Sequence, residues 1–379
     1  MRLPPRKSRR NAARAAAWAA LAAAAIAAWP AQEQGKKEDE TQALQLPKEL
    51  PLVVAGETRR LAFHVVPLSA KGLLSQQVRD GLKTLSQRTG RDTVLHIRAF
   101  VAGTGDLRRV RDLVSETFTS RRQPLPALSL VQVGGLPLAG AQVVLEAVAA
   151  GNRDVNPNGL AFFSAQAAAS ENPLDPVAPL TAKSLARLRQ VVKAAGAEPP
   201  DVVRVTCFFS SLENLAASRS LVEAEYPRAA IDYVQPQRAP AGALSACEAV
   251  ARLRRSPGAR LRLVDADSLA RESGESQAAL LDAPQVVLTG TQASFGYAEK
   301  DARLAFERLR RALEQAGASP GGVAYARYYP LSPGIASQVR KLRLEFFDAA
   351  RPPAGALLLW EGLPSMDAGF AVDVVAAKD

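Results

Sequence analysis

The sequence has few of the residues on which metal and redox sites depend. Its 379 residues include two cysteines and two histidines, too few for a disulfide scaffold or a multi-ligand zinc site. No second long apolar run follows residue 29, which excludes a protein with several membrane spans. Apolar residues make up 47% and charged residues 22% of the chain, a globular composition. At roughly 150 residues per domain, this length predicts two or three domains.

The first 32 positions contain no acidic residue. Six basic residues precede an apolar run over 15–29 and a polar stretch beginning at residue 32. This order is typical of a secretory signal. We expect residues 1–31 to be cleaved, which would make the protein periplasmic or secreted and without a membrane span. An uncleaved anchor and a disordered basic arm are the alternatives. The basic residues are Arg2, Arg6, Lys7, Arg9, Arg10 and Arg14.

The formal net charge of +11 at first indicates an anionic partner such as nucleic acid. Removing the six charges of the leader lowers +11 to +5. Most of the excess positive charge therefore belongs to the predicted export signal. An exported protein would rarely meet RNA. We expect no nucleic-acid partner.

The rest of the chain repeats one pattern three times after a linker over 32–57. The units span 58–151, 152–256 and 257–379, and each reads as an α+β domain with two helices on one face of a sheet. Glycines at the ends of the first helices mark the repeat, as do acidic residues in the closing strands. Strands such as 202–209 are apolar on both sides, so the units should pack against one another. The landmarks are Gly90, Gly196 and Gly317, and Glu146, Glu248 and Asp373.

The local motifs resemble the Rid family (YjgF-like proteins, also described as endoribonuclease L-PSP). The middle unit is the most similar. Its apolar strand ends in Ser164-Ala165-Gln166, its Arg228 starts a strand, and Cys247-Glu248-Ala249 lies in its closing strand. The resemblance implies three tandem chorismate-mutase-like (Rid) domains. It also implies a monomer folded as an intramolecular pseudo-trimer, because the family assembles as homotrimers.

The resemblance implies hydrolysis of 2-imino acids to 2-keto acids and ammonia, with no cofactor or metal. The family's arginine falls on Arg228, with Leu128 and Gly355 as its counterparts, so at most one of three clefts would work. Arg228 would bind the substrate carboxylate through two hydrogen bonds. Glu248 would orient or deprotonate the attacking water. Ser164 and Arg219 are further candidates for substrate binding.

Two functions remain open at this stage. The first is an exported imine or enamine deaminase with one active inter-domain cleft. The second is a non-catalytic protein of the same fold that binds small carboxylates or a protein partner. Loss of the family's arginine in two units favours the second. In either case the expected ligand is a carboxylate-bearing imine or another small anion.

Two further patterns concern arginines and cysteines. Arg111, Arg219 and Arg340 fall at one position of the second helix in each unit, and threefold packing would gather them into a basic site. Three solvated arginines are the alternative. Cys207 and Cys247 lie on strands that the family fold places side by side. Two buried thiols are the expectation, and a disulfide remains open.

Overall fold

The computed structural model describes residues 47–103, 105–270 and 274–379. The predicted signal and most of the predicted linker lie outside these residues. Six α-helices occur in the described part of the chain. None of the described helices is both long and apolar enough to cross a membrane. The helices are α1 (Leu74–Thr89), α2 (Leu107–Ser120), α3 (Val177–Ala194), α4 (Leu215–Glu225), α5 (Glu299–Gln315) and α6 (Pro333–Phe346).

Sixteen strands in the described residues form three sheets. Sheet 1 holds β2 to β5, sheet 2 holds β6 to β11, and sheet 3 holds β1 with β12 to β16. In chain order the strands are β1 (Val53–Glu57), β2 (Leu61–Val65), β3 (Thr93–Ala102), β4 (Ala127–Val133), β5 (Val143–Ala150), β6 (Leu160–Ser170), β7 (Val202–Phe209), β8 (Ala230–Val234), β9 (Ala243–Arg252), β10 (Leu261–Val264), β11 (Ala278–Leu281), β12 (Gln285–Thr289), β13 (Gln292–Ser294), β14 (Ala318–Tyr328), β15 (Ala354–Leu357) and β16 (Phe370–Lys378).

The three sheets share one central arrangement. In sheet 1, β3 pairs antiparallel with β5 and parallel with β4. The same pairings join β7 to β9 and β8 in sheet 2, and β14 to β16 and β15 in sheet 3. Two helices accompany each set of strands along the chain. The α+β class predicted from the sequence is therefore confirmed.

Local sequence signals explain where the helices begin and end. The Asp106 side chain accepts hydrogen bonds from the backbone N–H groups of Arg108 and Arg109 and so caps α2. Gly90, Gly196 and Gly317 all have positive φ angles at the ends of α1, α3 and α5. This is the left-handed conformation that glycine adopts without steric cost.

Each helix pair packs on one face of its own sheet. In sheet 2, for example, Leu188 and Val192 of α3 pack with Val205 of β7 and Ala249 of β9, and all four are buried. Equivalent cores lie under α1 and α2 and under α5 and α6. Burial of such apolar side chains contributes roughly 1.5–3 kcal/mol each.

The opposite faces of the three sheets meet one another. An aromatic cluster brings together Phe100 of sheet 1, Phe208 of sheet 2 and Tyr329 of sheet 3 around Trp360. The rings of Phe100 and Trp360 are stacked with centroids 5.6 Å apart. A second apolar cluster also draws on all three sheets. This contact explains why the central strands are apolar on both sides.

Several strands join a sheet that lies outside the predicted unit or linker that contains them. Strand β1, within the predicted linker, pairs with β12 at the edge of sheet 3. Strands β10 and β11 follow residue 256 in the chain but extend sheet 2 through β6. The sheets are therefore joined by exchanged edge strands as well as by packing.

Candidate functional site

Three clefts open where the sheets meet. The 1–3 cleft is lined by α2 and β4 on one side and by residues 290–293 on the other, and its volume is about 660 Å³. The 1–2 cleft lies between α4 with β8 and residues 65–68, with about 390 Å³. The 2–3 cleft lies between α6 and residues 240–244, with about 340 Å³. All three volumes suit small molecules.

The three arginines aligned from the sequence lie in three different clefts. Arg111 of α2 lines the 1–3 cleft, Arg219 of α4 the 1–2 cleft, and Arg340 of α6 the 2–3 cleft. They do not gather into one basic site, and all three are exposed, which agrees with the alternative of three solvated arginines. Each second helix flanks a separate junction of two sheets, so equivalent side chains point into separate clefts.

The 1–2 cleft contains Arg219 and a buried carboxyl group. The guanidinium of Arg219 lies 5.5 Å from the ring centroid of Tyr233, and its Nε is 3.8 Å from Oε1 of Glu223. Arg88, on the wall formed by sheet 1, donates to the carbonyl of Val65. The cleft thus presents two exposed guanidinium groups to a ligand.

Asp232 lies in the wall of the same cleft and is almost entirely buried. Burial raises the pKa of Asp232 well above its usual range, and the negative charge of Glu146 raises it further. No N–H or O–H donor in the described residues reaches its carboxyl oxygens. A contact between these two carboxyl groups is favourable only when one carries a proton. Because its pKa is the one that is raised, Asp232 is the member of the pair that takes up a proton first.

A buried ionic cluster occupies the centre, where the three sheets meet. We define it as three arginines and three acids, all 5% exposed or less. Guanidinium groups of all three sheets surround Glu248: its Oε1 lies 2.7 Å from Arg98 Nη2, 3.0 Å from Arg204 Nη2 and 3.6 Å from Arg327 Nε. The members are Arg98, Arg204, Arg327, Glu146, Glu248 and Asp373.

The environment of Glu248 holds it in the ionised form. Burial alone would raise the pKa of Glu248, but the charges of Arg98, Arg327 and Arg204 outweigh this effect and lower it. The Tyr325 hydroxyl also donates to Glu248 at 2.8 Å. Both carboxylate oxygens are occupied by neighbouring side chains, and the residue has no exposed surface.

The structure does not bring Arg228 and Glu248 together as a site. Arg228 is exposed in the turn before β8, whereas Glu248 lies in the buried ionic cluster. Ser164 is in a third place: its hydroxyl donates to the carbonyl of Ser276 and accepts from the Gly355 backbone N–H. Among Arg228, Glu248, Ser164 and Arg219, the residues proposed for catalysis and substrate binding, Arg219 is the one whose exposed charge lines one of the three clefts.

The strand pairing also changes which residues of the three units are equivalent at the position of the family's arginine. Leu128, Ile231 and Gly355 are partners of Ile97, Val205 and Ala326 in equivalent parallel strand pairs. The counterpart of Leu128 and Gly355 is therefore Ile231, three residues after Arg228. The turn between α4 and β8 contains Arg228, so motif spacing could not give the register of the strand that follows.

Cys207 and Cys247 form a disulfide, where two thiols were expected. The two residues are direct partners in the antiparallel pair of β7 and β9. Their Cα atoms are 4.1 Å apart, which brings the two sulfur atoms within bonding reach. Both residues are buried.

His96 belongs to the edge of the ionic cluster and not to a metal site. Its Nε2 lies 3.0 Å from the Ser129 hydroxyl, which donates to Asp373. Burial lowers the pKa of His96 to about 4, so the imidazole is neutral near pH 7. Within the described residues, no group of three or more histidine, cysteine or acidic side chains could hold a metal ion.

Sequence reasoning missed both the ionic cluster and Asp232. One signal was present: Arg98 and Arg204 interrupt otherwise apolar strands at their centres. A charged residue at such a position needs a buried partner. Each arginine pairs with an acid of its own sheet, Arg98 with Glu146 and Arg204 with Glu248. The contact between Arg98 and Glu248 joins two sheets, so the sequence could not identify the whole network.

The family comparison supports the resemblance over one segment. Residues 145–255 match the family model described as Endoribonuclease L-PSP. This match supports the Rid family. It covers strands β6 to β9 of sheet 2 with α3 and α4, and the disulfide, Asp232 and Glu248 lie inside it. No curated protein matches the chain.

Solved structures with Rid or YjgF descriptions also align with part of the chain. A conserved Rid-family protein of unknown function from Yersinia pestis is 17% identical, over 31% of this chain and 99% of its own, with a TM-score of 0.30. A YjgF-family member from Neisseria meningitidis is 16% identical, over 31% and 95%, with a TM-score of 0.24. TdcF from E. coli, solved with bound serine, is 18% identical, over 25% and 81%, with a TM-score of 0.23.

Proposed function

We propose that this Rid-like protein binds a small carboxylate in the 1–2 cleft without catalysing imine hydrolysis through Arg228 and Glu248. The proposal rests on the burial of the Glu248 side chain. A carboxylate that deprotonates water must reach the water directly, and Glu248 is enclosed by three guanidinium groups and a tyrosine hydroxyl. Its counterparts Glu146 and Asp373 are buried as well.

Arg219 is the residue proposed to bind the ligand carboxylate. Its side chain is exposed in the cleft, and its contact with Glu223 at 3.8 Å is long and shared with solvent. Exchanging such a surface contact for a carboxylate costs little. Arg88 lies on the opposite wall and would add a second positive charge.

The test is calorimetric titration with 2-oxobutanoate, a stable small 2-keto acid. We expect saturable binding that weakens about tenfold or more in Arg219→Gln, the loss of one charge-assisted hydrogen bond. Arg340→Gln is the matched control, because it changes the equivalent arginine of the 2–3 cleft. Equal binding by Arg219→Gln and the wild type would overturn the assignment.

Imine hydrolysis remains a second candidate because of Asp232. Both carboxyl oxygens of Asp232 are buried in the cleft wall, so a movement of the wall would have to uncover them before Asp232 could supply a proton to an imine nitrogen. Ammonia release from an imino acid generated in situ by an amino-acid oxidase tests this activity. Acceleration that disappears in Asp232→Asn would support catalysis that involves Asp232. Acceleration that disappears in Arg228→Ala would support the catalytic role predicted for Arg228 from the sequence. No acceleration supports the binding function.

We also propose that the three sheets represent three Rid-like domains packed as a pseudo-trimer. Support comes from the repeated strand pairing and from the side-chain clusters shared by all three sheets. One chain would then supply the three clefts that a homotrimer forms. Sedimentation should give a particle of one 40.2 kDa chain or less. A stable particle near three chains would contradict the proposal.

Export to the periplasm or beyond is proposed from the leader and the disulfide. Disulfides persist in oxidising compartments and are rare in the cytosol. Cell fractionation followed by mass measurement should recover a shortened chain outside the cytoplasm. A full-length chain in the cytosolic fraction would contradict export.

A further inference from the structure

The 1–3 cleft differs from the 1–2 cleft in its size and in its apolar walls. It is the largest of the three, at about 660 Å³. Leu128 and Leu130 project from the same face of β4, since alternate strand residues share a side. Across the cleft, Phe295 and Leu52 remain about half exposed, at 51% and 53%. Large apolar side chains exposed in a concave site indicate an apolar ligand.

A segment of chain outside the repeated units completes this cleft. Residues 47–52 line it and are held at both ends. The Ser115 hydroxyl of α2 donates to the carbonyl of Lys48 at 2.6 Å, and the Gly290 backbone N–H donates to the carbonyl of Leu52 at 2.9 Å. The segment therefore forms a fixed wall between sheet 1 and sheet 3.

Positive charge is concentrated on one helix of the cleft. Arg108 and Arg111 are one turn apart on α2 and so share a face. Neither side chain forms an ion pair within residues 47–103, 105–270 and 274–379, whereas Arg109 pairs with Glu116 at 2.7 Å. The cleft also contains Lys48 and Arg308, against the acids Glu49 and Asp112. Four cations against two acids leave a net positive lining.

Arg308 is already engaged and shapes the apolar wall. Its Nη1 donates to the Ala293 carbonyl at 2.7 Å, and its guanidinium lies 5.3 Å from the Phe295 ring centroid. These contacts orient Phe295 beside the opening. Arg108, Arg111 and the exposed Lys48 are thus the cations available to a ligand. The two arginines lie on the wall that also carries Leu128 and Leu130.

We infer that the 1–3 cleft is a separate site for a free monocarboxylate with a medium-length apolar chain. The carboxylate pairs with Arg108 and Arg111, and the chain lies along Leu128, Leu130 and Phe295. The carboxylate end of such a ligand matches the positively charged lining of the cleft, and its apolar end matches the apolar wall. The inference does not depend on the proposed function of the 1–2 cleft, because the two clefts share no arginine.

The experiment is calorimetric titration of the full chain with octanoate, octanamide and butanoate. We expect one octanoate per chain. Octanamide, which lacks the charge, should bind at least tenfold more weakly. Butanoate, which lacks four methylene groups, should also bind at least tenfold more weakly. Equal affinity for octanoate and octanamide, or no saturable binding of octanoate, would overturn the inference.

Variants locate the site. Arg108→Gln with Arg111→Gln should weaken octanoate binding by about 10- to 100-fold. Arg340→Gln, at the equivalent position of the 2–3 cleft, should leave it unchanged. Ala293→Phe, which narrows the cleft at a half-buried position, should weaken it at least tenfold. Octanoate binding that survives both cleft variants, or that is lost in Arg340→Gln, would place the ligand elsewhere. Circular dichroism confirms that each variant is folded.

Discussion

The guanidinium of Arg98, in sheet 1, lies 2.7 Å from the carboxylate of Glu248, in sheet 2. Both side chains are buried, and Arg327 of sheet 3 approaches the same carboxylate oxygen. One acid therefore connects all three sheets. The residue expected from the sequence to activate water thus lies at the centre of an ion-pair network.

Replacing Glu248 should destabilise the whole fold. Glu248→Gln removes the negative charge shared by three guanidinium groups and should cost about 3–5 kcal/mol of unfolding free energy, because buried positive charges lose their partner. Urea denaturation followed by circular dichroism gives the value. Arg228→Ala is the control, since an exposed position should change stability by less than about 0.5 kcal/mol. Equal stability of Glu248→Gln and the wild type would contradict a structural role.

Stability should fall between about pH 6.5 and pH 4 because of His96. Burial lowers the pKa of His96 to about 4 in the folded chain, from 6.5. In this interval the unfolded chain binds a proton that the folded chain does not, so the loss on acidification amounts to about 3 kcal/mol. Unfolding curves measured at several pH values should show this slope. His96→Gln should flatten it, and His64→Gln, at a half-buried histidine, should flatten it less.

Asp232→Asn should stabilise the protein at neutral pH. The pKa of Asp232 is raised in the folded state, so the unfolded chain gains free energy by ionising as pH rises above about 4. An amide cannot ionise and can donate a hydrogen bond to Glu146. The stability difference between variant and wild type should therefore grow from pH 4 towards pH 7. A difference independent of pH would show that Asp232 is ionised in the folded chain.

Loss of the disulfide should lower stability without changing the fold. Cys207 and Cys247 are 40 residues apart, and closing such a loop restricts the unfolded chain by about 4 kcal/mol on the chain-entropy model. The double variant Cys207→Ala with Cys247→Ala should unfold at lower urea concentration than the oxidised wild type. Thiol titration after denaturation without reductant should detect no free thiol in the wild type. Two thiols in protein from an oxidising compartment would contradict the pairing.

Local periodicity predicted most of the repeated elements, because their amphipathic patterns are complete within the segment. Helix α5 at Glu299–Gln315 and strand β3 at Thr93–Ala102 are examples of such elements. Strands β1, β10 and β11 were missed. They are short, and their partners lie in distant segments, so nothing near them in sequence indicates pairing.

The candidate site was harder to predict from the sequence than the fold was. Glu248 was correctly placed on a closing strand, but its surroundings depend on Arg98 and Arg327, which lie 150 residues before it and 79 after it. Whether a strand residue faces a cleft or the junction of three sheets depends on packing between units. Arg219 was identified because it aligns with Arg111 and Arg340 at one position of the second helix in each unit, and such a repeat can be read from the sequence.

Strand β1 has a consequence for processing of the chain. It covers the edge of β12 in sheet 3, and an uncovered edge offers unpaired backbone groups to other chains. The signal predicted to end at residue 31 would leave β1, which begins at Val53, attached to the mature protein. A protease that cut after Glu57 would instead release the strand that closes sheet 3. The product would tend to self-associate through β12, so cleavage at the predicted signal would keep this edge covered and cleavage after Glu57 would expose it.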